Sequence, residues 1–347
     1  MKRMLLAAAA ATMLVGTASA QEVNLRIQTH YAADHPQGQL IQQWIDDVQT
    51  MSDGEISIEM FYASSVVATV ETFDAAINGI VDCDMTGGAY QTGKNPAFQF
   101  VGDLMGGYDT PWQMLSWLYY GDGLAAAQEL YNEQNMQLIG WALYGQESMS
   151  SSSPLRGPED LKGWKFRSPP GMETEIFEEL GASPIVMDFT EIFTALETGI
   201  IDGADASGLS NNVGLGIYDI VKHATYPGFH SMPADHLACN KDVWDGLSDA
   251  HKRIIDTAMQ KLSLHTALSN EKKNAEAAAQ LQAEGVTLYD WSAEDRAAFR
   301  QAARTSWERW GDKNEQARNI LESHKAYLTQ LGLMDGGDGM AEETTQQ

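Results

Sequence analysis

The chain has 347 residues, with 48 Asp and Glu against 22 Lys and Arg and a formal charge of −26. Acidity of this order, scattered along the chain, excludes nucleic acid and anionic membrane surfaces as partners and supports solubility. The length exceeds what one hydrophobic core usually holds, so two domains are expected.

Lys2 and Arg3, the apolar run from Met4 to Val15 and the triplet Ala18-Ser19-Ala20 before Gln21 read as a signal peptide over residues 1–20. The apolar run is too short to span a bilayer. The mature protein is therefore expected in the periplasm. From Val23 the segment VNLRIQT alternates like a strand, Gln37 to Ser52 carries Leu40, Ile41, Trp44, Ile45 and Val48 at helical spacing, and Ile56 to Phe61 is a second strand. A helix from Val70 to Asn78 stops at Gly79 and leads into the strand Ile80 to Met85. This βαβαβ opening predicts a mostly parallel, helix-covered sheet.

The pattern Phe73-x-Ala75-x-x-x-Gly79-Ile80-Val81-Asp82 returns as Phe193-x-Ala195-x-x-x-Gly199-Ile200-Ile201-Asp202. Two α/β lobes of similar plan would explain the return. The second copy follows strands around Trp164 to Arg167 and Pro184 to Met187, with a helix from Thr174 to Leu180 between them. Beyond Ser248 the chain reads as helix over 249–284, 292–303 and 316–331, and the Gly, Glu, Thr and Gln of the end have little to bury. Cys83 and Cys239 are too few for a disulfide scaffold; an export compartment lets them pair, and burial as two free thiols is the other reading.

Motifs for nucleophilic, zinc-protease or nucleotide chemistry are absent, which lowers the case for an enzyme. His230, His236 and Cys239 form H-x5-H-x2-C, looser than the spacing of dedicated zinc sites, so a solvent-facing or cleft histidine is the default. Arg167 stands at the end of a strand before Ser168-Pro169-Pro170-Gly171, where α/β proteins bind ligands. A guanidinium there can clamp a carboxylate through two parallel hydrogen bonds; the alternative is a surface ion pair.

Several segments carry a resemblance: Gly88-Ala89-Tyr90 with Gly93-Lys94-x-Pro96-Ala97-x-Gln99-Phe100, Trp117-Leu118-Tyr119-Tyr120-Gly121, Glu159-Asp160-Leu161-Lys162-Gly163 and Glu191-Ile192-Phe193-x-Ala195-Leu196. Arg167, Leu180-Gly181-Ala182, Gly199-x-Ile201-Asp202 and Tyr226-Pro227-Gly228-Phe229-His230 add to them. Across nearly the whole mature chain the sequence resembles the substrate-binding proteins of tripartite ATP-independent periplasmic (TRAP) transporters, the DctP family, and most of all the branch that binds 2-oxo acids and other monocarboxylates.

The resemblance implies an α/β periplasmic binding protein fold, two lobes joined by crossover strands and a long helix. Lobe I would take residues 21–142 and 232–268; lobe II would take 143–231 and, with the C-terminal helices, 269–333, leaving 334–347 as a disordered tail. It implies that Arg167 clamps a small organic acid, with Tyr90, Gln146, Asp205, Asn211 and His236 as polar contacts, for delivery to TRAP membrane permease subunits. A cation, sodium or calcium, would sit beside the ligand on Gln146, Asp205, Ala206 and His236, with no other cofactor. Asp205 stands where the family has Glu, Ala206 where it has a pocket-lining Trp, and His236 where it has an acid, which implies a roomier pocket than one shaped for pyruvate. The rival reading is a periplasmic enzyme acting on a small carboxylic acid with His236 and Asp205 as proton-transfer pair, and the C-terminal helices could join two copies into a homodimer.

Overall fold

A computed structural model describes residues 22–334. The signal peptide over 1–20 and the tail beyond 334 lie outside the described residues. In chain order the strands are β1 (Val23–Thr29), β2 (Ile56–Phe61), β3 (Cys83–Met85), β4 (Met136–Leu143), β5 (Ser150–Ser151), β6 (Lys165–Ser168), β7 (Ser183–Val186), β8 (Gly203–Ala204), β9 (His223–Thr225), β10 (Ala234–Asn240) and β11 (Thr287–Tyr289). They form two sheets, ordered β2-β1-β3-β10-β4 and β11-β9-β5-β8-β6-β7. The chain passes to the second sheet after Leu143 and returns before Ala234.

The first sheet begins as its sequence suggests. Leu25 and Ile27 of β1 point into the core, and the helix Pro36–Met51 buries the stripe Leu40, Ile41, Trp44, Ile45 and Val48 against it. The His35 Nδ1 starts that helix by accepting a hydrogen bond from the Gln37 N–H at 3.1 Å, with Pro36 in the first turn. β2 and β3 flank β1 in parallel, but β10 joins antiparallel to both β3 and β4, so the sheet is mixed. Ile80 is not in a strand: Gly79 turns the chain at φ 73°, Ile80 is exposed, and pairing starts at Cys83. The repeat in the second lobe makes the same turn, with Gly199 at φ 70° and Ile200 exposed.

Cys83 and Cys239 stand opposite each other on β3 and β10 and form a disulfide, which decides between the two readings of these residues. The pairing also removes Cys239 from any zinc site.

The helix Asp249–Ala283, 35 residues and roughly 50 Å long, is capped by Ser248 and packs on β4 and Pro36–Met51 in the first lobe and on the helix Leu209–Gly214 in the second. Of the C-terminal helices, Ala293–Gly311 packs on Met172–Glu179 of the second lobe, whereas Glu315–Gln330 packs on Phe98–Gly102 of the first. The last helix, grouped with lobe II from the sequence, touches both lobes: it packs on Ala293–Gly311, and its His324 is stacked on Trp117 at 3.5 Å and lies 2.7 Å from the Phe100 carbonyl. The terminal helices thus turn Phe299, Trp307, Ile320 and Leu328 inward onto their own chain. Two apolar clusters, one containing Phe73, Trp141, Phe166 and Trp307 and the other Leu25, Trp44, Ala204 and Met259, each draw on both lobes. No described helix is long and apolar enough to cross a membrane.

Candidate ligand-binding cleft

A narrow cleft lies between the lobes, lined by residues of both, including Arg167, Tyr90, Ala206, Glu147, Asp235 and His30. Arg167 is placed by the second sheet: β6 pairs in parallel with β7 and β8, and the guanidinium spans the ends of all three. Its Nη1 donates to the Asp205 carbonyl at 2.8 Å, its Nε to the Met187 carbonyl at 3.3 Å, and its Nη2 to the Tyr90 hydroxyl of the first lobe at 3.2 Å. All three acceptors are neutral, although the side chain is only 2% exposed. A buried guanidinium held by neutral groups keeps a full positive charge for an incoming anion.

The loop after β6 needs Gly171. Its φ is 118°, and a Cβ there would meet the Gln99 Oε1 at 2.6 Å. That oxygen accepts from the Met172 N–H at 2.9 Å, so the approach that glycine permits also joins the two lobes.

The rest of the charged lining is acidic. Burial pushes the Asp103 carboxyl up to about 7, even though the Ser231 hydroxyl donates to it at 2.7 Å and the Met232 N–H at 3.3 Å. Burial likewise raises Asp235 to about 6, with the Tyr31 hydroxyl donating at 2.8 Å. Glu147 and Glu173 are driven well above the usual carboxylate range by burial and by repulsion from Asp205. His30 is lowered to about 3 by burial and then by Arg167, so it is neutral, and its Nδ1 is buried without a partner. Tyr90 is raised to about 12 by burial, which leaves it a hydroxyl donor.

Of the residues singled out from the sequence, Arg167, Tyr90 and Ala206 line the cleft. Asp205 lies behind it: His230 Nε2 is 2.6 Å from its Oδ2, its Oδ1 is buried without a partner, and the ligating atoms of Glu147, Asp205 and His230 lie within 4.8 Å of one another. Gln146 opens on a neighbouring cavity with Pro227 and Gly228; its Nε2 donates to the Tyr108 carbonyl at 2.8 Å and its Oε1 is buried and unpartnered. Asn211 is also away from the cleft, donating to the Ser207 hydroxyl at 3.0 Å.

His236 is a correction, both as ligand contact and as cation ligand. It is wholly buried in the first lobe, with Nδ1 2.8 Å from the Tyr131 hydroxyl and Nε2 2.9 Å from Asp84 Oδ2. The cause is strand alternation: on β10 it is Asp235, one residue earlier, that faces the cleft. His236 and Asp205 therefore do not form the pair that the enzyme reading requires. His230, expected to face solvent or the cleft, is buried against Asp205. The implied cation set fits in part: Asp205 and Gln146 each hold a spare buried oxygen, as a hard cation would need, Glu147 and His230 stand beside Asp205, and His236 drops out.

Residues 27–314 match the family model described as bacterial extracellular solute-binding protein, family 7 (DctP). A monocarboxylate 2-oxoacid-binding periplasmic protein of Nostoc sp. is 30% identical over 295 residues, 82% of this chain and 78% of that protein. Among solved structures, an apo, open TRAP periplasmic solute-binding protein from Rhodobacter sphaeroides is 34% identical with a TM-score of 0.71, over 90% of this chain and 99% of that one. A TRAP solute-binding protein from Bordetella bronchiseptica, with copurified calcium and picolinate in its active site, has a TM-score of 0.83 at 24% identity, over 90% of this chain and 93% of that one.

Proposed function

Since the chain belongs to the DctP family of bacterial extracellular solute-binding proteins, we propose that it binds a small organic acid, a 2-oxo acid or other monocarboxylate, between its lobes and delivers it in the periplasm to TRAP membrane permease subunits. The observation that carries this reading is Arg167: a buried, fully charged guanidinium at the floor of an inter-lobe cleft, held only by neutral groups. The 2-oxoacid-binding relative from Nostoc and the picolinate-bound neighbour support a carboxylate on that arginine. A hard cation beside the carboxylate is the finer reading, with Asp205, Glu147 and the Gln146 carbonyl oxygen as its donors; the spare oxygens and the calcium of the Bordetella protein support it.

Relatives named as solute-binding proteins support carriage over catalysis. Mass spectrometry of the small molecule that copurifies with exported protein, followed by calorimetry, tests the proposal. Stoichiometric binding of an intact acid is expected, and its turnover would favour the enzyme instead.

A further inference from the structure

The helix Met172–Glu179 starts just after the strand end that carries Arg167, and its first turn lacks a cap of its own. Gly171 stands at the N-cap position and has no side chain to offer the first N–H groups. The Met172 N–H finds its acceptor in the other lobe, where Gln99 Oε1 lies 2.9 Å away. A helix of the second lobe is thus capped by a side chain of the first.

The buried Gln99 amide is held at both ends. Its Nε2 donates to the Asp103 carbonyl at 3.2 Å, at the end of its own helix Phe98–Gly102, and this turns Oε1 toward the second lobe. The Asp103 carboxylate in turn accepts from the Ser231 hydroxyl and the Met232 N–H, on the segment that returns to the first sheet. The Ser231 carbonyl accepts from the Glu147 N–H at 2.9 Å, on the segment that leaves it. One amide therefore links the loop after Arg167 to both crossover segments. Pro169 and Pro170 of that loop line the cleft and carry no N–H, so the loop has few backbone bonds to hold it. The Ser168 hydroxyl secures it from within the second lobe, donating to Glu173 at 2.9 Å, and Gln99 secures it from across the cleft.

We propose that Gln99 is a positioning residue for ligand retention, docking on the start of Met172–Glu179 when the lobes meet and fixing the loop beside Arg167. Its bond to Met172 forms only in the closed state, so it slows release of the enclosed acid and leaves capture alone. This rests on the reading of the cleft as the site of an acid held between the lobes.

The test compares mature wild type, Gln99→Ala, Gly171→Ala and the double variant, with pyruvate and the copurified acid as probes. Stopped-flow tryptophan fluorescence gives association and dissociation rates, and thermal unfolding is followed without ligand. Gln99→Ala is expected to speed dissociation about tenfold, as removal of the acceptor from a buried N–H warrants, with association within about twofold of wild type. Its ligand-free melting temperature should stay close to wild type. A Cβ on residue 171 would meet Gln99 Oε1 at 2.6 Å, so Gly171→Ala should speed release more when Gln99 is present than in the Gln99→Ala background. Backbone strain at φ 118° is common to both backgrounds and cancels in the comparison. Wild-type dissociation from Gln99→Ala, with or without a lower melting temperature, overturns the proposal and leaves the organic-acid reading intact. Strictly additive effects of the two substitutions on dissociation do the same. A wild-type protein that binds neither probe overturns the organic-acid reading and the proposal with it.

Discussion

The Nη2 of Arg167 and the hydroxyl of Tyr90 meet across the cleft at 3.2 Å, one from each lobe, so the group read as the carboxylate anchor also touches the opposite wall. Removing one partner of a buried, charged hydrogen-bonded pair costs about 2–5 kcal/mol, so Arg167→Ala is expected to weaken acid binding by roughly 30- to 5,000-fold. Arg167→Lys keeps the charge and loses the planar fork, and should also fall well below wild type. The side chain is as enclosed as a core residue, so thermal unfolding of both variants must accompany the calorimetry. Wild-type affinity in folded Arg167→Ala would place the anchor elsewhere.

A second bridge lies at Asp188, whose carboxylate accepts from the Thr69 N–H and the Thr69 hydroxyl of the other lobe, each at 2.9 Å. Burial alone would raise its carboxyl, but the hydrogen bonds from Thr190 and Thr69 outweigh it and hold the group below its usual range. The two bonds from Thr69 exist only with the lobes together, so they favour the closed state without contacting the cleft. Asp188→Ala is expected to weaken ligand binding by about tenfold, chiefly through faster release. Stopped-flow dissociation rates equal to wild type would refute the role.

What the sequence disclosed was local chemistry with a period or a punctuation mark. The stripe from Leu40 to Val48 and the stop at Gly79 follow from side-chain spacing and backbone freedom, and the lone arginine before Pro169-Pro170-Gly171 marks a strand end. What it concealed depends on which way a residue faces. Asp235 and His236 are adjacent, and only the register of β10 on β4 decides that the acid enters the cleft. Glu147 and Gln146 pose the same problem in a loop without periodicity. Asp103 and Glu173 reach the cleft through packing between distant segments, for which no local signal exists. The antiparallel entry of β10 was hidden for a similar reason: its pairing partners lie about a hundred residues away in the chain.

The disulfide closes a span of 156 residues between β3 and β10. Cross-links over loops this long restrict the unfolded chain, and their loss typically costs about 2–5 kcal/mol. Reduction, or Cys83→Ser with Cys239→Ser, should lower the urea midpoint accordingly. An unchanged midpoint under reductant would show that sheet packing alone holds the two strands.

Chelation addresses the spare oxygens on Asp205 and Gln146. Dialysis against chelator is expected to weaken acid binding, and added calcium to restore it. If affinity is indifferent to both treatments, the cation is not part of the site and Asp205 serves the ligand or His230 directly.

The buried acids also make the ligand-free protein sensitive to pH, with a sign that can be worked out. Asp103 sits at about 7 in the folded state and Asp235 at about 6, against an ordinary value of 3.8. The folded state therefore holds protons that the unfolded chain has released, and stability falls as pH rises from about 4 to 7. The buried histidines act in the opposite direction. His30 and His324 at about 3 and His35 at about 4 lie below the ordinary 6.5, so their contribution is present above that value and is lost as pH falls through the acid range. Asn at position 103 keeps an acceptor for the Ser231 hydroxyl and cannot titrate. Urea unfolding of the ligand-free protein at pH 5 and pH 8 should show the change in stability toward the higher pH to be less favourable in wild type than in Asp103→Asn, by up to about 2.7 kcal/mol, the two units between pH 5 and the folded value of about 7. Equal changes in the two proteins would mean that Asp103 titrates in the folded state as it does in the unfolded chain.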